Sequence, residues 1–252
     1  MKETITFIGN GNMALSIAQG LKDTFKIEVV GRDISKLDKF ENELGVKIEK
    51  SSYESFDMRD KKVILCIKPN NIQEVGVRLK GTARELYSVL AGTTVSALKE
   101  NIKSNATVRV MPNLAASVEE SMTTMTGDIG LKKESEELFK SIGQTLWLSS
   151  EKEVDIATAV AGSGPAYLAL IHEALCDGAV KQGMKRADAI QVTNGLFKGF
   201  GELIGTTHSA LLKDGVMSPG GTTAAGYSAL EEYGVRNGCI KAVEAAFMVT
   251  QK

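Results

Sequence analysis

ITFIGNGNMA, Ile5 to Ala14, sets an apolar run rich in β-branched residues directly against Gly9 and Gly11, with Ala14 opening a helical pattern. The order Gly-x-Gly-x-x-Ala after a strand and before a helix is the fingerprint of a dinucleotide-binding turn. Gly9 permits the tight turn, Gly11 lets a pyrophosphate come close, and the amides around Asn12 and Met13 meet it at the helix N-terminus. A βα unit of this kind places the chain among open α/β folds.

Downstream, the sequence keeps alternating short β-rich runs with helical patterns: IEVVG, VKI, KVILCI, LYSVLAG, TVRVM and TLWLS follow in turn. This alternation predicts a Rossmann-type, mostly parallel sheet over residues 1–150. After Trp147 the strand signals stop. From Glu153 onward the chain is rich in Ala and Leu at three- and four-residue spacing, broken at GSGP, QGMKR, TTHS and SPGG. That pattern predicts an all-α domain over residues 151–252. LKKESEELF, Leu131 to Phe139, reads as a solvated helix face.

The second strand ends in Gly31-Arg32-Asp33, where NAD enzymes usually hold the ribose hydroxyls with an acid. Here Arg32 comes first, and Ser35 and Lys36 follow. A guanidinium pairs well with a 2′-phosphate, so NADP(H) is favoured over NAD(H). The four prolines each stand at an irregular junction: CIKPNN, RVMPN, GSGPAY and SPGG. Pro69 and Pro112 follow strands, so both are expected to line the crevice at the carboxyl ends of the sheet. Lys68, closing a buried strand, has to reach backbone carbonyls, a cofactor or solvent.

MSPGGTTAAGYSALEE, Met217 to Glu232, is the chemistry of an anion cradle. Pro219 blocks helix continuation, Gly220 and Gly221 admit a ligand close to the backbone, and Thr222 and Thr223 stand where first-turn amides are free. A carboxylate fits such a helix mouth. A plain turn with a threonine cap fits the same residues.

With 30 basic and 31 acidic residues the formal net charge is -1, so no global field draws nucleic acid or an anionic membrane, and a small-molecule partner is expected. Cys66, Cys176 and Cys239 are odd in number and outside any CxxC spacing, which suits reduced thiols in the cytosol. His172 and His208 form no pair at ligand spacing, and no metal is expected. His172, in LALIHEALCDGAV, reads as a packed or interfacial residue, and His208 as a loop or cap residue. No segment reads as approaching the roughly 18 apolar residues of a membrane span, so the expectation is a soluble, cytoplasmic protein. Neither a Ser/His/Asp relay nor paired carboxylates stand out. Hydride transfer needs neither, since a cofactor supplies the hard step.

FIGNGNMA, CIKPNN, RVMPN, VAGSGPAYLALIHEAL and LLKDGVMSPGGTTAAGYSALEEYG, taken in order, resemble the pyrroline-5-carboxylate reductase family. The resemblance implies an N-terminal Rossmann domain and a C-terminal helical domain that forms an intertwined homodimer, often assembled into decamers. It implies NAD(P)H-dependent reduction of the cyclic imine pyrroline-5-carboxylate to L-proline, NADPH being preferred and NADH a poorer donor. By position, Gly9, Asn10, Gly11, Asn12 and Met13 take the pyrophosphate, Arg32 the 2′-phosphate, and Lys68, Pro69, Ala91 and Gly92 the nicotinamide side. Ser218, Gly220, Gly221, Thr222 and Thr223 hold the substrate, with the Thr223 hydroxyl at the ring nitrogen. Three positions depart from the family's habit: Leu114 and Ala115 replace the threonine and proline of MPNTP, Tyr53 stands where asparagine often meets the adenosine ribose, and Gly215 replaces another asparagine.

Two other readings share the layout. A β-hydroxyacid dehydrogenase or imine reductase would carry a catalytic lysine four residues after the second glycine of an interdomain G-x-G, and Gly164 is followed there by Leu168. A dinucleotide-sensing homologue without turnover would bind NADPH and stop there.

Overall fold

Four of the five residues in TITFI and all four in KVIL are buried, the pattern of strands covered on both faces. The computed structural model describes residues 2–251. Within them the chain runs β1 (Thr4–Ile8), α1 (Asn12–Leu21), β2 (Lys26–Gly31), α2 (Ile34–Leu44), β3 (Glu49–Ser52) and β4 (Lys62–Leu65). Then come α3 (Ile72–Gly76), β5 (Glu85–Ser88), α4 (Val95–Asn101), β6 (Thr107–Met111), β7 (Ser121–Gly127), α5 (Lys132–Phe139) and β8 (Gly143–Trp147). The helical part holds α6 (Glu151–Ala157), α7 (Gly164–Lys181), α8 (Arg186–Ile204), α9 (Ser209–Gly215), α10 (Thr222–Glu232) and α11 (Val235–Thr250).

The eight strands form one sheet in the order β3-β2-β1-β4-β5-β6-β7-β8, parallel except for the β6–β7 pair. The direction of winding reverses between β1 and β4. At that switch point the loops after Ile8 and Leu65 open at the carboxyl ends of adjacent strands, where open α/β sheets bind ligands. Alternate side chains feed the two faces: Ile5 and Phe7 pack with Ile17 and Leu21 of α1, while Ile8, Val63 and Leu65 pack with Leu86 and Leu98 on the other side.

Three local expectations are corrected, and one strand, β7, stands where the sequence reading assigns no element. The run VKI is not a strand; pairing with β2 starts at Glu49, and Val46 is exposed. SMTTMTG, which reads as polar, is β7, buried between β6 and β8. GSGP does not break the helix. Gly162 closes a π-helical turn, Thr158–Gly162, that joins α6 to α7, and Pro165 sits in the first turn of α7. Finally, the run Glu151–Lys181 is long and apolar enough, at mean hydropathy 1.4 in its best window, to cross a membrane by length and composition alone. Counting consecutive apolar residues overlooks it, because Gly, Ser and Pro interrupt a run that Ala, Val, Leu and Ile keep hydropathic.

The chain divides into two compact units, one running through Ser163 and including the segment from Ala245 onward, the other Gly164–Glu244. In the second unit only Cys176, Ala189 and Thr193 are buried among the described residues. Large side chains such as Leu170, Val192, Leu196, Phe200 and Leu211 each stay at least half exposed. A helical unit with so little core leaves apolar faces that a partner surface is needed to cover.

Candidate functional site

Gly9 shows why glycine is needed in the first turn. Its φ is +105°, and a Cβ there would lie 2.5 Å from the backbone carbonyl oxygen of Cys66. Side-chain-bearing residues are excluded by both strain and contact. The Gly9 amide donates to the Val30 carbonyl at 2.9 Å, which ties the turn to β2. Gly11 is the N-cap of α1 and provides no side-chain cap; no acidic residue stands in the first turn, and the space beside its Cα is open. Free amides at Asn12 and Met13 with room before them fit a phosphate-bearing group. The residues present therefore suit a dinucleotide cofactor.

At the end of β2 the two charged residues divide their work. Asp33 caps α2: its carboxylate accepts from the Ser35 amide at 2.9 Å and the Ser35 hydroxyl at 2.7 Å, bonds that lower its pKa. Both bonds go to Oδ1, so one oxygen of Asp33 is committed to the helix cap. Arg32 points into solvent, its Nη1 3.9 Å from the Glu74 carboxylate on α3. Lys68 is exposed and precedes the short turn Pro69–Asn71, where Pro69 takes the first position. Ala91 and Gly92 are exposed too, and Gly92 adopts φ +65°, where a side chain is strained and a Cβ would meet the Thr250 carbonyl oxygen tightly, at 3.2 Å.

Two residues outside these expectations fix the loops. Asn113, just past β6, accepts from the Ala115 amide at 3.0 Å and donates through Nδ2 to the Ala161 carbonyl at 3.0 Å, an acceptor in the π-helical turn. Arg109, in the middle of β6, is 1% exposed and bonds Glu151 Oε2 at 2.9 Å and Asp155 Oδ1 at 2.6 Å on α6. Glu151 Oε2 also accepts from the Val95 amide at 2.9 Å, so one carboxylate joins β6, α6 and the start of α4. The signal in the sequence was a charged residue inside the otherwise apolar TVRVM. Cys66, partly buried beside Gly9 with its thiol turned from solvent, has its pKa pushed well up by desolvation, so it stays protonated.

In the helical unit, Gly221 is the N-cap of α10 and again no side chain caps the helix. The turn before it is closed by the Gly221 amide donating to the Ser218 carbonyl at 2.9 Å, with Gly220 at φ +68°. A Cβ on Gly221 would lie 2.4 Å from Ser218 Oγ. Thr222 and Thr223 take the first two helical positions, both exposed, and among the described residues neither hydroxyl has an intramolecular partner. The helix mouth thus offers amides and hydroxyls to an anion. His208 caps α9, accepting from the Ala210 amide at 3.3 Å. His172 packs between α7 and α8, 2.9 Å from Asn194 Oδ1 and edge-on to Phe197. Among the described residues no cluster of three His, Cys, Asp or Glu side chains could hold a metal.

Known proteins carry the same two regions. The family model described as pyrroline-5-carboxylate reductase dimerisation matches residues 151–252, and the one described as NADP oxidoreductase, coenzyme F420-dependent, matches residues 4–92. A pyrroline-5-carboxylate reductase from a Synechocystis species is 33% identical over 100% of this chain and 98% of its own length. The solved 1-pyrroline-5-carboxylate reductase of Streptococcus pyogenes superposes with a TM-score of 0.88 at 29% identity, covering 98% of both chains. The pyrroline carboxylate reductase of Plasmodium falciparum, solved with NADP bound, gives a TM-score of 0.82 at 26% identity over 99% of this chain and 97% of its own. Related along its whole length to these reductases, the chain belongs to the pyrroline-5-carboxylate reductase family.

Proposed function

We propose that the chain reduces the cyclic imine of 1-pyrroline-5-carboxylate to proline with NAD(P)H, and that NADPH is its preferred donor. The observation that supports this most is the pair of glycine-opened, uncapped helix N-termini, at Gly11 and at Gly221, in a chain of this family. One suits a pyrophosphate and the other a carboxylate. Residues 1–150 form the cofactor half and residues 151–252 the substrate-binding and self-associating half.

In the cofactor half, Gly9 to Met13 hold the pyrophosphate, Arg32 the 2′-phosphate, and Lys68, Pro69, Ala91 and Gly92 the nicotinamide side. When bound, the dinucleotide supplies a hydride. The protein's part is placement and charge management. Amides at Gly220 to Thr223, with the Ser218 hydroxyl, take the substrate carboxylate. The Thr223 hydroxyl hydrogen-bonds the ring nitrogen as it gains its proton, a task that suits a hydroxyl or a bound water because an imine nitrogen is already basic. Thr222 contributes its amide. Half-exposed apolar faces on α7 and α8 are covered by a second copy, in a homodimer or a decamer built from dimers. Cys66, Cys176 and Cys239, all free, suit a reducing compartment, and we place the protein in the cytoplasm.

The test follows NADPH absorbance with pyrroline-5-carboxylate present and identifies the product. Proline formed in step with NADPH loss supports the proposal. Tight NADPH binding without proline would make the chain a sensor, and turnover of other imines or of hydroxyacids alone would make it a different reductase.

A further inference from the structure

Glu74 lies beside the cation assigned to the 2′-phosphate, and its charge has no role in the reaction described above. Its Oε1 is shared by two guanidinium groups: Arg32 Nη1 at 3.9 Å and Arg78 Nη2 at 3.1 Å, the latter one helical turn further along. Arg78 in turn reaches Glu54 Oε1 at 3.6 Å. These four charges surround Tyr53, which is only 5% exposed and packs into the core with Ile8, Val30 and Val75. Burial, more than any of its charged neighbours, pushes the Tyr53 phenol pKa up, so it stays a neutral hydroxyl among two cations and two anions.

We propose that Glu74 sets the strength of NADPH preference by competing with the 2′-phosphate for Arg32, and that Arg78 restrains that competition by holding the Glu74 carboxylate. The proposal rests on the assignment of Arg32 to the 2′-phosphate. A dinucleotide without that phosphate brings no charge to this corner, so it is indifferent to Glu74. One with it brings nearly two negative charges beside a carboxylate. Arg32 is then exchanged from Glu74 to the phosphate while Arg78, the closer partner, keeps Glu74 compensated. Asp33, the neighbouring anion, is turned through Oδ1 to the α2 cap.

The experiment is calorimetric titration of the full-length protein with two probes, 2′,5′-ADP and 5′-AMP, at low and high salt. Half-exposed charges interact weakly, so Glu74→Gln is expected to tighten 2′,5′-ADP by about 3- to 10-fold, less at high salt, and to leave 5′-AMP unchanged. Arg78→Gln is expected to weaken 2′,5′-ADP, and adding Glu74→Gln to it is expected to restore the binding. An unchanged or uniformly shifted pair of affinities in Glu74→Gln overturns the proposal. So does an Arg78→Gln loss that persists in the double variant, which would make Arg78 itself the phosphate ligand. Arg32→Ala separates the two levels of the argument. If it narrows the gap between the probes while Glu74→Gln is silent, only the role of Glu74 fails; if the gap is unaffected, the assignment of Arg32 fails and takes the proposal with it.

Discussion

Arg109→Met keeps the length of the stem but removes the charge that holds β6 to α6. Asp155 is the group it strands: 8% exposed, with Oδ1 bonded to Arg109 at 2.6 Å and, among the described residues, Oδ2 reached only by Gln251 Nε2 at 3.4 Å. Glu151 suffers less, being a third exposed and keeping the Val95 amide at 2.9 Å. Breaking a buried pair from one side typically costs about 3–5 kcal/mol. Against this, Arg109 Nε is buried without a partner among the described residues, an existing penalty of about 1–3 kcal/mol that methionine relieves. The difference leaves a net destabilisation of about 2 kcal/mol. Because the cost belongs to the stranded carboxylate, Arg109→Met combined with Asp155→Leu should recover most of it, as apolar replacements of whole buried pairs often do. Trp147, the only tryptophan, packs against the core on β8 and reports urea unfolding of this unit by fluorescence. A double variant that loses as much as the sum of the two single ones would refute the reasoning, since it would leave no coupling between the side chains.

Other expectations concern the proposed site and the helical surface. Gly9→Ala forces a Cβ against the Cys66 carbonyl at positive φ and should cost roughly 2–5 kcal/mol and abolish cofactor binding; an alanine variant of wild-type stability and affinity contradicts the reading of the turn. Arg32→Ala should raise the NADPH dissociation constant about 10- to 150-fold and spare NADH, and equal losses with both would remove Arg32 from the phosphate site. Thr223→Val keeps shape but loses the hydroxyl, so kcat should fall about 10- to 1,000-fold, whereas Thr222→Ala keeps its amide and should cost far less. Because successive helical residues point about 100° apart, the two hydroxyls cannot be equivalent, and the reverse order of losses would show the roles exchanged. Leu196→Lys with Phe200→Lys charges the exposed face of α8 and should shift the protein toward monomer in sedimentation with Trp147 fluorescence unaltered; a wild-type chain that is already monomeric at micromolar concentration would rule out the covering copy.

The parts of the fold that announce themselves locally were legible. Apolar β-rich runs located β1, β2, β4, β5, β6 and β8, and the glycine turn after Ile8 announced the helix that follows it, which starts at Asn12. β7 was not legible, since SMTTMTG is buried by its place between β6 and β8, a non-local pairing with no trace in its own composition. β3 was displaced because its register is set by β2, not by the apolar VKI before it. Gly9 could be read as a turn glycine, but not that its constraint is the Cys66 carbonyl, which the fold brings in from the next strand but two. That Asp33 caps α2 through Oδ1 was not legible either, because a helix cap and a ribose ligand ask for the same residue type at the end of β2. Arg109 and Asn113 work through partners about 40 or more residues away, and no spacing rule reports contacts of that range.

The most direct test of the central claim is isotopic. NADPH carrying deuterium at the transferable position of the nicotinamide, incubated with the protein and pyrroline-5-carboxylate, should yield proline with the deuterium on the ring carbon that was the imine carbon, and Thr223→Val should slow that incorporation. Proline free of deuterium, or no proline while NADPH remains bound and unconsumed, would contradict the account.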